Sequence, residues 1–282
     1  MELRAGNPLE IRTLGGLLIE CAGRPITGIV SRKVEAMLVY LACTGRPQAR
    51  EVLAELLWPE RSQSQSLANL RSGLSNLHQV LPSQVTITRR TVALTGDTPY
   101  SLDVAEFERL IALAGIQGQR QTTLSHDEAG ALTKALDLYR GDFLHGFYIP
   151  DSRAFEECAE LERERLRRTV IEALHHLVLY DLKHAAYVDG IAQATRLLAL
   201  DPLHDEINRH LILLLAQAGQ RSEALAQYET YSRLLDEELG VRPPPDLVSL
   251  YRQIAAGERP PVPAATPQPT VSRHANPYKG LH

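Results

Sequence analysis

The chain is poor in the residues that build metal centres, disulfide scaffolds and membrane spans. Its 282 residues include only three cysteines, two methionines and one tryptophan. Cys21, Cys43 and Cys158 are too widely separated for zinc-type or disulfide spacing, so reduced, buried thiols in a cytoplasmic protein are the expectation. No run of about 18 apolar residues occurs, which excludes a membrane-spanning helix. Met1-Glu2-Leu3-Arg4 does not open a secretory signal. Positive charge is also scarce, with 30 Lys and Arg against 34 Asp and Glu and a net charge of -4. Signatures of catalysis are missing too. Gly15-Gly16 and Gly23 form neither GxGxxG nor a Walker A loop, and read as turns. No Ser/His/Asp order has a nucleophile-elbow context. His175-His176 and His184 have no carboxylate-rich set at ligand spacing around them. Asp142, Asp151, Glu156 and Glu157 cluster near the expected domain junction. The expectation is a protein with no catalytic residue, no metal site and no cofactor.

What is present begins with Ala49 to Leu81, AREVLAELLWPERSQSQSLANLRSGLSNLHQVL, two amphipathic helices broken at Trp58-Pro59-Glu60. Leu67, Leu70, Leu74, Leu77 and Leu81 recur at spacings of three and four, giving the second helix one apolar face. Gln65, Asn69, Ser72 and Asn76 lie opposite, all able to hydrogen-bond a base edge or a phosphate. This is the plan of a helix-turn-helix reader of the major groove, and equally that of two surface helices over a leucine core. Trp58 reads as a core anchor against the leucine face.

The flanks add the parts of a winged helix. Leu9–Leu14 and Leu17–Cys21 are short apolar runs split by Gly15-Gly16, which predicts a small antiparallel sheet. Arg32 to Ala42 is helical in pattern, with Ser31 as candidate N-cap. Val85–Thr88 and Thr91–Leu94 alternate around Arg89-Arg90, a hairpin with two cations at its tip. Such a tip suits phosphate or minor-groove contact, or simply solvation. Residues 1–100 hold 11 Lys and Arg against 8 Asp and Glu, whereas the remainder holds 19 against 26. The weakly basic part is the one with the helix pair.

From Asp127 onward the pattern is almost continuously helical, with breaks at Gly or Pro. RLLALDPLHDE and RLLDEELGVRPPPDL each end a helix in a proline turn, at an interval close to the tetratricopeptide period of about 34. Ala224, Leu225, Tyr228 and Leu235 alternate small and large, as closely packed antiparallel helices require. A stack of such hairpins forms a groove for peptides or helices, or else supports the first domain or a dimer.

LGGLLIECAGRPI, SRKVEAMLVYLACTG, LAELLWPE and LANLRSGLSNL resemble the winged-helix domain of the antibiotic regulatory (SARP) family of transcriptional activators. LDVAEFERL, LYRGDFLHGFYIPDSRAFEECAELERERLRR, LALDPLHDE and EELGVRP resemble the bacterial transcriptional activator domain that follows it in that family. The resemblance spans residues 9 to 257. It implies a mainly α fold with a small β component: a winged helix-turn-helix over 1–100, tetratricopeptide-like repeats over 101–257, and a proline-rich linker over 258–282. It also implies promoter binding, recruitment of RNA polymerase and activation of downstream genes.

In that reading Gln65, Asn69, Ser72 and Asn76 read bases, Asn and Gln favouring adenine edges. Arg71 reaches a phosphate or a guanine, and Arg89 and Arg90 hold the minor groove or backbone. Arg32 and Lys33 contact phosphates, or alternatively form solvated surface or a link to the second domain. Family members often have more basic residues where this chain has Asn76, His78 and Gln79, so a dimer or higher oligomer on double-stranded DNA is the expected binding form. The alternative is a domain that has lost DNA binding. Asn276 to Leu281 resembles the opening of a STAND-type NTPase domain. In that second reading the chain is the interaction or sensory front end of a larger ATPase.

Overall fold

The computed structural model describes residues 8–94, 100–116 and 123–261. The resemblance at Asn276–Leu281 and most of the proline-rich tract therefore lie outside the described residues. The N-terminal sheet has the order β3-β2-β1-β7, from β1 (Leu9–Arg12), β2 (Leu18–Cys21), β3 (Arg24–Pro25) and β7 (Tyr100–Leu102). β1 and β2 pair antiparallel, as the apolar runs predict. The fourth strand, β7, lies parallel to β1 and comes from the far end of the winged-helix region.

Three helices follow the first strands: α1 (Arg32–Thr44), α2 (Arg50–Leu57) and α3 (Gln63–Val80). Ser31 occupies the N-cap position of α1, but its side chain makes no capping bond. Gly45 ends α1 in the left-handed conformation, at a φ of 60°. A second sheet, order β4-β6-β5, joins β4 (Gln48–Ala49), β5 (Val85–Ile87) and β6 (Thr91–Leu94). The predicted hairpin is thus the outer part of a three-stranded wing.

The rest is helical: α4 (Asp103–Ala114), α5 (His126–Leu138), α6 (Arg153–Lys183), α7 (Tyr187–Leu200), α8 (Asp205–Gln217), α9 (Arg221–Leu239) and α10 (Pro245–Ala255). α5 starts with a full capping box between Ser125 and Glu128. α10 starts with proline in its first turn, where the missing N–H is not needed. Consecutive helices from α6 to α10 pack on one another, and α8 also reaches α6. Ala224 and Leu235 are buried at these contacts, and Tyr228 stacks on Tyr251 at 4.3 Å between ring centroids. The chain from Glu258 is not free at its start. Arg259 Nε donates to Gln217 Oε1 at 2.8 Å, and Gln217 Nε2 donates to the buried Pro260 carbonyl, docking this segment on the end of α8.

The two regions share one continuous apolar core. Asp103, the first residue of α4, accepts from Thr13 N at 2.8 and 2.9 Å, from Thr13 Oγ1 at 2.9 Å and from Leu14 N at 2.9 Å. The non-helical YRGDFLHG stretch lies against the same turn, with Leu144 N donating to Thr13 O and Gly15 N to Asp142 O. Gly15 has a φ of +101°, and a Cβ there would stand 3.0 Å from the Arg140 backbone carbon. Only glycine meets both demands. Cys21 is buried, but Cys43 and Cys158 are exposed, which corrects the expectation of three buried thiols. Both line an open cleft between α1 and α6, beside Tyr40, Phe143 and Phe155, rather than the closed core.

Candidate nucleic-acid interface

Helix α2 stops at Trp58 because Pro59 removes the next donor, and Ser62 in extended conformation restarts the chain as the N-cap of α3. Ser66 Oγ closes this turn by donating to Trp58 O at 2.8 Å. Leu70, Leu74, Leu77 and Leu81 are buried, with Leu67 half-buried at the rim. Gly73 marks the crossing with α1, where an added Cβ would sit 3.3 Å from Val34 Cγ2. Trp58 is half-buried against this core, and the Lys33 ammonium lies over its ring at 5.7 Å. Helix α3 ends ahead of Pro82, which cannot continue it.

Gln65, Asn69, Arg71 and Ser72 are all exposed on α3. The i, i+4, i+7 spacing sets Gln65, Asn69 and Ser72 along one face. Ser72 Oγ also donates to Ala68 O within the helix, at 3.3 Å. Asn76 sits on the same side but is half-buried and engaged. Its Nδ2 donates to Gly28 O at 2.9 Å, and its Oδ1 accepts from Val30 N at 3.1 Å. Both amide atoms hold the loop before α1, so a base edge would have to displace them.

The wing tip is closed by side chains rather than by glycine. Thr88 Oγ1 accepts from Arg90 N at 3.2 Å and from Thr91 N at 2.9 Å. Those bonds leave Arg89 and Arg90 exposed at the turn. A third guanidinium joins them. Arg50 N donates to Arg90 O at 3.0 Å, and Arg50 Nη1 donates to Thr88 O at 3.3 Å. Its membership depends on β4 pairing with β6, a long-range contact that no local pattern announces.

Arg32 stays exposed but reaches the second region, and the half-buried Lys33 reaches the end of α2. Arg32 Nη1 donates to Tyr148 O at 3.3 Å, and its guanidinium lies 5.9 Å from the Phe147 ring centroid. Lys33 Nζ donates to Leu57 O at 2.6 Å, satisfying the last carbonyl of α2. Burial lowers the Lys33 pKa, with Arg61 adding to that shift and Asp151 and Glu60 opposing it. The Arg32 contact reaches the second region, whereas the Lys33 acceptor lies within the first.

One sequence signal strengthens the α3 surface. No Asp or Glu occurs from Arg61 to Gly96, within a chain that has 34 of them. The segment from α3 through the wing hairpin therefore contributes no carboxylate that would repel phosphate, while Glu51 and Glu55 of α2 line the cleft beside Arg61 and Gln63. Gln63, Ser64, Ala68, Ser75, His78 and Gln79 complete the exposed side of α3. They can be found simply as the complement of the leucine periodicity.

Among the described residues no helix is long and apolar enough to cross a membrane. Residues 102–255 match the family model of the bacterial transcriptional activator domain. The chain is 32% identical over 228 residues to the regulatory protein AfsR of Streptomyces coelicolor, covering 75% of this chain but 22% of that protein. It is 28% identical over 261 residues to the regulatory protein DnrI of Streptomyces peucetius, covering 87% of this chain and 92% of that one. A solved structure of Mycobacterium tuberculosis EmbR, in complex with a low-affinity phosphopeptide, matches the fold with a TM-score of 0.63 at 20% identity. That match covers 91% of this chain and 67% of EmbR. Its winged region and helical stack, the matched domain and these relatives together place the chain in the bacterial transcriptional activator domain family, among the SARP-type transcriptional regulators.

Proposed function

We propose that the chain is a DNA-binding transcriptional activator that reads promoter repeats through α3 and the wing, and contacts RNA polymerase through its helical stack. The observation that carries this reading is the acid-free segment from Arg61 through the wing hairpin, bearing Arg61, Arg71, Arg89 and Arg90 in a chain of net charge -4. Gln65, Asn69 and Ser72 supply base-edge contacts, and Arg71 a guanine or phosphate contact. Arg89 and Arg90, with Arg50 behind them, hold the backbone beside that groove. Asn76 sets the position of α3 against the 28–30 loop, Arg32 ties the winged region to the second region, and Lys33 holds the end of α2.

Few cations per protomer mean few phosphates neutralised, so one protomer binds weakly and two half-sites bind well. The test is a fluorescence-anisotropy titration with random and genome-derived duplexes at two salt concentrations, followed by selection of the bound pool. Enrichment of a direct or inverted repeat, with a salt slope of several phosphates, is the expected result. Absence of binding at low salt would overturn it.

A further inference from the structure

A cluster of histidines in the helical stack has no part in reading DNA. His175 lies on α6, while Glu206 and His210 lie one turn apart on α8, an i, i+4 spacing that puts both on one helix face. One ring nitrogen of each histidine and one Glu206 oxygen all lie within 4.8 Å of one another. In sequence, His175 has no carboxylate set around it; the packing of α8 on α6 supplies one from 31 residues away.

Two polar atoms here lack what buried polar atoms ordinarily have. His175 Nε2 and His210 Nδ1 are both buried and have no hydrogen-bond partner among the described residues. Glu206 Oε2 stands 3.5 Å from His175 Nε2. His210 is 3% exposed.

We propose that His175, Glu206 and His210 bind a divalent transition-metal ion of the zinc class, tying α6 to α8. Two imidazoles and a carboxylate suit Zn²⁺, whose bonds of about 2.0–2.2 Å set ligand atoms roughly 3.3 Å apart in a tetrahedron. Closing from within 4.8 Å to that spacing takes side-chain rotation at the half-buried His175 and the exposed Glu206. The fourth position is left to water. His204 is not a ligand, because its Nδ1 accepts from Ile207 N at the start of α8. Arg209 Nη2 lies 3.4 Å from His210 Nε2 and competes with the ion, since it favours the tautomer that protonates Nδ1. Metal loading moves that proton to Nε2 and releases Arg209.

The test uses the full chain, apo after chelation, titrated with Zn²⁺ by calorimetry and with Co²⁺ by visible absorption. We expect one saturable site, tetrahedral Co²⁺ bands and a higher Tm with metal. His175→Gln and Glu206→Gln, at positions that are not fully buried, should each weaken binding at least tenfold and abolish the Co²⁺ bands. Their unchanged far-ultraviolet circular dichroism would show that they fold. His176→Gln, whose ring centroid is 6.2 Å from that of His175, should retain the site, and Arg209→Gln should tighten it. Non-saturable binding, or full binding by both the His175 and Glu206 variants, would overturn the assignment.

Discussion

Lys33 and Ser152, 119 positions apart, meet at a single atom: the Leu57 carbonyl oxygen accepts from Lys33 Nζ at 2.6 Å and from Ser152 Oγ at 2.8 Å. The C-terminus of α2 is thereby held by the start of α1 and by the residue that opens α6. Because the carbonyl keeps one donor when the other is removed, Ser152→Ala and Lys33→Met should each cost about 1 kcal/mol. The double variant should cost more than their sum, because it leaves the carbonyl without a side-chain donor. Urea denaturation measures this. Lys33→Met should also leave the salt slope of DNA binding unchanged; a slope shallower by one phosphate would return Lys33 to the DNA surface.

Asn69 and Asn76 are separated by two turns of the same helix and should behave oppositely. Asn76→Ala removes two hydrogen bonds to the 28–30 loop, so a stability loss of about 1–2 kcal/mol is expected with operator preference kept. Asn69→Ala should leave Tm nearly unchanged and relax the preference at one base position. Competition between specific and mismatched duplexes reads both.

Removing both wing-tip cations, Arg89→Ala with Arg90→Ala, should weaken binding to specific and random DNA alike. The slope of log affinity against log salt should fall by up to about 1.8 if each arginine neutralises one phosphate. Adding Arg50→Ala should distort the turn as well, since Arg50 Nη1 donates to Thr88 O. A loss confined to the specific duplex would assign the wing to base reading.

Asp181 is buried on α6, where desolvation and the charge of Asp189 push its carboxyl up to about 6, against a smaller opposing pull from His184. A raised carboxyl binds its proton more tightly in the folded state. Stability from this group therefore falls as pH rises from the unfolded value near 3.9 through about 6. Asp181→Asn should be the more stable chain at pH 7, by about 1–3 kcal/mol relative to the difference seen below pH 4. Comparing the two proteins at each pH cancels the other titrating groups, His210 among them. A gap that does not change with pH would show Asp181 to be solvated.

Local pattern was enough for most of the architecture. Leucines three and four apart dictate which face of α3 is buried, because a helix turns every 3.6 residues and apolar area must leave water. Proline and glycine at Pro59, Gly45 and Pro82 mark where helices stop, because they act on the backbone of their own residue. The exposed placement of Gln65, Asn69, Arg71 and Ser72 follows from the same periodicity, and the wing from its alternation around Arg89-Arg90.

Tertiary packing alone decided the rest. Asn76 falls on the polar side of its helix, yet the chain at Gly28–Val30 passes within hydrogen-bond reach and takes both of its amide atoms. Arg32 and Lys33 open a helix as two plain cations and are engaged by acceptors at Tyr148 and Leu57. Arg50 joins the wing, β7 pairs with β1, and Glu206 comes to His175 through contacts between distant parts of the chain. A residue's type and spacing determine whether it faces water or core, whereas its partner depends on which other element shares that core.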